Sequence, residues 1–490
     1  MVDNLDPTLA VNQDSLHKQV AALPEIYQPI FDHPELSMRV TRTCEDRLVH
    51  ITKIYKTLEE KLGRPLRVLD LGCAQGFFSL SLAKQGGIVE GIELQECNIS
   101  VCQTLASEHP EWKVRFKKGL IEEVIMNLKP DQYDLVLGLS VFHHLVHISG
   151  VAVVQQMIAV LAQNITAGIY ELSLPNEPTV RAPTQLENPR LLLNGYAFVH
   201  EVAKHPTHLP GIYRPLYITS NRYWFLNDQA DQFDTWKIGS HELTSNKSRR
   251  YFFGNGFVTK IFHLDEGEFH EINRQEFTNE TSFLKNPPPD IKTPKLLLEG
   301  QNQSEVWIVR EQMPGELLLD RMRFQKIYDA KTIIQDILKQ LTAFESIGLY
   351  HNDLRTWNIL VEPDGHATLI DYGAITPEAK DRGWPYNVFL SFMIFLNEII
   401  TGVPAIPDPI RPVSFNPDNF PEPYRSMLWK LFEYAPDEWR FTLLQKSSSS
   451  QEDLEISPST RQSFAKILET MNDACKIHEK STIYWRRRAG

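Results

Sequence analysis

Residues 67–84 read RVLDLGCAQGFFSLSLAK, an apolar strand followed by a turn with two glycines and then a helix. Gly72 and Gly76 allow the backbone to turn tightly and to approach a ligand lying over the C-terminal end of the strand. Alone, such a turn also serves as plain structure. The next apolar run, GIVEGIEL, ends in Glu93, 17 residues after Gly76, where a carboxylate can accept hydrogen bonds from both hydroxyls of a ribose. The GxGxxG spacing that seats a dinucleotide pyrophosphate is missing. Working outward, the runs YDLVLGLS, AGIYELSL and YRPLYITS alternate with helical patterns, which predicts a parallel sheet flanked by helices over residues 50–221.

The whole chain sets the limits of the reading. Its 490 residues suffice for two or three domains, and 42% hydrophobic with 23% charged residues is ordinary globular composition. A formal net charge of -12 excludes a generic nucleic-acid binder, which needs a dominant basic face. The five cysteines, Cys44, Cys73, Cys97, Cys102 and Cys475, are odd in number and lack CxxC spacing, so reduced thiols and a cytoplasmic location are expected. The first residues, MVDNLDPTLAVNQDSLHK, carry no apolar core of a signal peptide, and no run approaches 18 apolar residues. After residue 222 the pattern becomes strand-rich, with RRYFF, FVTKIF and VWIVREQ, and from 326 helices dominate. SSSSQEDLEISPS reads as a linker into a last helix with Phe464, Ile467, Leu468, Met471 and Cys475 at helical spacing.

Asp70-Leu-Gly72-Cys-Ala-Gln-Gly76 resembles the first motif, Asp-x-Gly-x-x-x-Gly, of class I S-adenosylmethionine-dependent methyltransferases, with Ala74 where a further glycine is common. The resemblance implies that Asp70, Gly72, Gly76 and Glu93 bind S-adenosylmethionine. It also implies that Leu120 and Ile121 flank the adenine, that Glu122 reaches its amine, and that Ser140, His143 and His144 face the methyl donor. Two readings stand for His143 and His144: a pair that packs at a helix start, or groups that orient the methyl acceptor.

A second composite pattern lies at YHNDLRTWNIL, residues 350–360. Asp353 is followed five residues later by Asn358, then a turn, an apolar strand and Asp371-Tyr-Gly373. Asp353 can take the proton of an acceptor hydroxyl, while Asn358 and Asp371 supply oxygen ligands for magnesium on the phosphates of ATP. This pattern resembles the protein-kinase-like fold. The resemblance implies upstream partners, and Lys260 in FVTKIF and Glu280 twenty residues later fit the ion pair that holds the α- and β-phosphates. Glu311, Gln312 and Met313 would bind adenine through their backbone. GSHELTSNKSRR, from Gly239, takes the place of a glycine-rich loop, its polar and basic side chains serving the phosphates. Asn352 replaces the arginine that in protein kinases receives an activation-loop phosphate, and no Ala-Pro-Glu motif follows, so a non-protein substrate is expected. Arg355 is read either as a charge neutraliser at the transferring phosphate or as a surface arginine.

Methyltransferase followed by kinase, together with LPEIYQPIFDHPE, SVFHH and KSRRYFFG, resembles a family of bifunctional methyltransferase/kinases that cap the non-reducing end of polymannose O-antigen with a methylated phosphate. The fold expected is an α/β Rossmann-like domain, then a bilobal α+β kinase-like domain and a C-terminal helix. Its boundaries are 1–49 (a helical cover of the donor site), 50–221, 222–446 and 447–490. The resemblance implies that Tyr27 and Arg47 close over S-adenosylmethionine. It implies phosphorylation of a terminal mannose and then methylation of that phosphate, with His143 or His144 and one of Arg181, Arg190, Arg214 or Arg222 beside the acceptor. Implied partners are a lipid-linked polymannose chain, the polymerising mannosyltransferase, the inner face of the inner membrane and further copies of the chain through the last helix. The ending IYWRRRAG suits an anionic lipid interface, against a helix packed on the kinase lobe with a solvated basic end. Competing expectations are methylation of a sugar hydroxyl, a different glycan, and a nucleotide-binding scaffold that recruits a glycosyltransferase.

Overall fold

Strands β1 (Arg67–Leu71), β4 (Leu135–Leu139) and β5 (Ala167–Glu171) are buried along nearly their whole length and mostly apolar, which places them at the centre of a sheet covered on both faces. The structure, a computed structural model, describes residues 15–239, 248–264, 269–380, 387–404, 416–448, 456–469 and 473. Two compact units divide at Asp234/Thr235.

In the first unit, β2 (Ile88–Glu93), β3 (Val114–Lys118), β6 (Phe198–Pro206) and β7 (Tyr213–Ser220) complete a seven-stranded sheet of order β3-β2-β1-β4-β5-β7-β6. β1 to β5 are parallel, with β1 between β2 and β4. The expectation of an all-parallel sheet fails at its last two strands: β7 runs antiparallel to β5 and to β6. The reason is local, because a short turn through Gly211 (φ 76°) joins β6 to β7, and a parallel crossover needs about a dozen residues or more. The cover at 15–44 is not mainly helical either. After a helix over 15–21 only the 3-10 turn Pro34–Leu36 is regular, since Pro24, Pro29 and Pro34 each lack an amide donor.

β8 (Tyr223–Leu226) closes the first unit in an antiparallel pair with β9 (Gln229–Ile238), whose last residues open the second unit. The second unit continues with β10 (Arg249–Gly254), β11 (Phe257–His263), β12 (Leu296–Gln301) and β13 (Glu305–Glu311), antiparallel in the order β12-β13-β11-β10. Helix His270–Lys285 packs on this sheet and brings Glu280 inward. A helical lobe follows, built on Ala330–Ser346 and Val388–Thr401, the latter buried along most of its length. Helix 458–469 belongs to that lobe: Phe464 packs edge-on to Trp429 and tilted against Phe432, at 5.4 and 4.7 Å between ring centroids. This much of the last helix packs on the kinase-like lobe, while Met471, Cys475 and IYWRRRAG lie outside the described residues. Among the described residues no helix is long and apolar enough to cross a membrane.

Candidate active sites

The donor turn of the first unit is shaped by close packing. Gly72 (φ 73°) accepts no side chain, because a Cβ there would meet Val141 Cγ2 at 2.9 Å. Gly76 (φ 78°) begins helix Phe77–Lys84, and a Cβ on it would meet Phe116 at 3.0 Å. Ala74 takes a positive φ of 48°, so the position where a glycine is common still has a glycine-like backbone. Glu93 closes the turn from β2: its Oε2 accepts from Ala74 N–H (3.0 Å) and its Oε1 from Leu94 and Gln95 N–H. Asp70 is buried, accepts from Ser79 Oγ at 2.6 Å and is raised by burial to about 6. It therefore braces the turn from below.

Apolar side chains border this turn. Ile121 packs near Gly72 and Leu120 is exposed, beside the half-buried Glu122. Leu94, not singled out from the sequence, is exposed just past Glu93, which pairs with Lys118 two residues before Leu120. The cover is latched to the turn by a glutamine exchange: Gln75 Oε1 accepts from Gln28 N–H at 3.0 Å, and Gln28 Oε1 accepts from Phe77 N–H at 3.1 Å.

Beyond the turn, at the ends of β4 and β5, lies a buried ionic cluster. Glu171 accepts two bonds from Arg42, at 2.7 and 2.6 Å, and lies 3.5 Å from Arg47 Nη1. Burial alone would raise Glu171, but Arg42 and Arg47 hold it below the usual range. Arg214 on β7 grips Glu177 through Nε (2.8 Å) and Nη2 (2.6 Å). Ser140 (φ 55°) joins the two halves, accepting from Arg42 Nη1 at 3.1 Å and Arg214 Nη1 at 3.0 Å. Tyr27 of the cover interacts with both Arg42 and Arg214. Arg42, Glu171 and Glu177 were not picked out from the sequence. The available signal was a lone carboxylate ending the wholly apolar strand AGIYE, which requires a buried cation.

His143 and His144 start helix Phe142–Ser149 with rings 4.1 Å apart. His143 is buried with Nδ1 unpartnered, and burial, then His144 and Arg214, push it down to about 3. His144 is exposed at the surface, yet partial desolvation and the charges of Arg181 and Arg214 lower it to about 4. Both rings are neutral at pH 7. Of the four candidate arginines, Arg222 pairs with Asp131 at the surface and Arg190 is bonded to the backbone of Val199. Arg214 and Arg181 are the two that act on the histidines.

In the second unit, Lys260 at the middle of β11 lies 2.9 Å from both Glu280 Oε2 and Asp371 Oδ1. Burial opposes its charge, but the two carboxylates raise it above the ordinary lysine range. Asp371 sits at φ 65°, a conformation that costs a non-glycine residue about 1 kcal/mol or more. Asn358 Nδ2 donates to the backbone oxygen and to Oδ2 of Asp353, both at 2.9 Å, which fixes the carboxylate and leaves the amide oxygen of Asn358 for a cation. Arg355 is buried, 3.8 Å from Asp353 Oδ1, so it is no surface arginine. Asn352 donates to Thr376 Oγ1 (2.8 Å) and to the carbonyl of Glu378 (2.9 Å), tying the loop that carries Asp353 straight to the segment after Asp371. Where kinases place an arginine to await a phosphate, this chain has a standing tie.

Of the adenine-binding backbone expected at Glu311 to Met313, two amides are committed, Glu311 N–H to Lys295 O and Gln312 N–H to Gly256 O, both at 2.9 Å. Met313 is the remaining donor. Gly239 (φ 68°) follows β9, and residues 240–247 of the loop lie outside the described residues. Arg249, also counted there, is instead buried: Nη1 lies 2.7 Å from Glu276 and Nε donates to Asn273.

The geometry thus defines a class I methyltransferase-like donor site in one unit and a protein-kinase-like phosphoryl site in the other. Residues 68–164 match the family model described as a methyltransferase domain. The chain is 40% identical over 438 residues, 88% of its length, to an O-antigen chain terminator bifunctional methyltransferase/kinase, WbdD, of Escherichia coli, and it spans 62% of that relative. A solved structure of the bifunctional kinase–methyltransferase WbdD is 37% identical with a TM-score of 0.80, covering 92% of this chain and 99% of the other. A second, with its C-terminal bundle ordered, is 36% identical with a TM-score of 0.87, covering 96% and 97%. The chain belongs to the WbdD family of bifunctional kinase–methyltransferases.

Proposed function

We propose that this chain ends the growth of an O-antigen polysaccharide by phosphorylating its non-reducing terminal sugar, a mannose, with ATP and then methylating that phosphate with S-adenosylmethionine. The observation that carries the order of events is the weak basicity of His143 and His144, at about 3 and 4. Groups so weakly basic cannot draw the proton from a sugar hydroxyl at a useful rate. A phosphate is already an anion at pH 7 and needs only alignment with the sulfonium methyl. Three of the five N–H donors of Arg214 are spent on Glu177 and Ser140, leaving two for a phosphate oxygen next to the neutral imidazoles. Gly72, Gly76 and Glu93 seat the donor, Leu120 and Ile121 flank its base beside Glu122, and Tyr27 and Arg47 close the cover.

In the kinase step Asp353, oriented by Asn358, accepts the proton of the sugar hydroxyl, and Lys260 with Glu280 holds the α- and β-phosphates. Arg355 lies beside that carboxylate to offset charge on the transferring group. The oxygens of Asn358 and Asp371 fit magnesium, which when bound neutralises the β- and γ-phosphates. Contact with a mannosyltransferase, with the inner face of the inner membrane and with further copies through the C-terminal helix belongs to the same reading, in a cytoplasmic enzyme.

A short synthetic mannose oligosaccharide, offered ATP with magnesium, S-adenosylmethionine, or both, tests the order by mass spectrometry. Phosphate from ATP alone, and methyl only with both donors, is the expected pattern. Methyl transfer without ATP would make the hydroxyl the acceptor.

A further inference from the structure

Tyr251 on β10 lies directly opposite Lys260 on β11 in the antiparallel register, so both side chains leave the sheet on the same face. Lys260 Nζ stands 5.8 Å from the centre of its ring. The Tyr251 hydroxyl is buried and has no hydrogen-bond partner. Buried polar groups almost always have one, and an orphan beside a binding site points to a partner carried by the ligand. The charged groups acting on this hydroxyl are Lys260, Asp371, Arg249 and Glu276, the surroundings of the phosphoryl site. Burial raises the hydroxyl further above the ordinary tyrosine range, so it stays a donor. Arg249, two residues earlier on the same face of β10, is locked by Glu276 and Asn273 and keeps a buried Nη2 without a partner. Two orphan donors therefore sit on the strand that follows the missing glycine-rich loop.

We propose that Tyr251 is a phosphate-binding residue of the nucleotide site, its hydroxyl donating to a polyphosphate oxygen held by Lys260. A glycine-rich loop does this with backbone amides, whereas here a side chain reaches from the next strand. The assignment rests on the kinase reading.

Calorimetric titration of the full chain and its Tyr251→Phe variant, with a non-hydrolysable ATP analogue plus magnesium and separately with adenosine, tests it. The variant should bind the analogue about ten- to hundredfold more weakly, as for loss of a bond to a charged acceptor, and adenosine within about twofold of the parent. Its melting temperature without ligand should not fall, since the hydroxyl it lacks had no partner. Equal weakening of both ligands would assign Tyr251 to the nucleoside, and undiminished binding of the analogue would remove it from the site; either overturns the assignment and leaves the kinase reading standing. A lower melting temperature without ligand would mean that the hydroxyl serves the fold. A parent chain that binds neither ligand would overturn the kinase reading and this assignment with it.

Discussion

The two sites meet their buried charge in different ways. Around Ser140 three buried arginines, Arg42, Arg47 and Arg214, meet Glu171 and Glu177, with Asp46 3.6 Å from Arg47 Nε. Around Asp371 one buried lysine, Lys260, is shared between Asp371 and Glu280, and Arg310 lies 3.8 Å from Glu280. A site rich in guanidinium donors suits an acceptor that arrives as an anion, and carboxylates grouped on one lysine suit a nucleotide that arrives with a metal ion. Under the proposed function, that contrast would let one chain run two group transfers on one substrate end.

The largest test of that contrast is Asp353→Asn. Phosphoryl transfer should fall about a thousandfold, the usual scale for losing a general base, while methylation of an already phosphorylated oligosaccharide stays within about twofold. A matching loss of methylation would tie the two sites together. Next, Arg42→Met should destabilise the first unit by about 3–5 kcal/mol, because it removes the two bonds that neutralise buried Glu171. Urea unfolding measures it, and a negligible change would mean that Arg47 alone suffices.

His143 gives a pH test. Its folded value, about 3, lies below the ordinary 6.5, so the unfolded chain binds the proton first. Stability is fully present above 6.5 and is lost as pH falls toward 3, by at most about 1.4 kcal/mol per pH unit from this residue. His143→Phe should flatten that slope in denaturant titrations. The smallest effect is that of Asn352→Ala, which deletes two hydrogen bonds to the segment after Asp371 and should speed amide exchange at 374–378 about tenfold. Unchanged exchange would mean that the short pairing of His351 with Ile375 holds the segment without it.

Legibility in the sequence followed the range of the interactions. Gly72, Gly76 and Glu93, and likewise Asp353, Asn358 and Asp371, fall at spacings set by a strand and the turn after it, so residue types and order were enough to find them. Lys260 and Glu280 are 20 residues apart and needed only one strand and one helix. Arg42 and Glu171 are 129 apart and meet because of sheet order, which no local pattern encodes. The β6–β7 hairpin was missed for a related reason: YRPLYITS reads as a buried strand in either direction, and its sense depends on the turn before it. Tyr251 lies within KSRRYFFG, yet nothing in that string marks a phosphate contact; only its register against Lys260 distinguishes it from a packing aromatic.

The tie made by Asn352 bears on timing. In the proposed reaction, a loop bonded directly to the next segment would run the kinase step without waiting for a regulatory phosphate, as a constant hazard. Under the proposed activity, every encounter with a chain end then has the same odds of being the last. The distribution of polymer lengths would follow from the ratio of two rates, elongation and capping, and would shift with the relative amounts of the two enzymes.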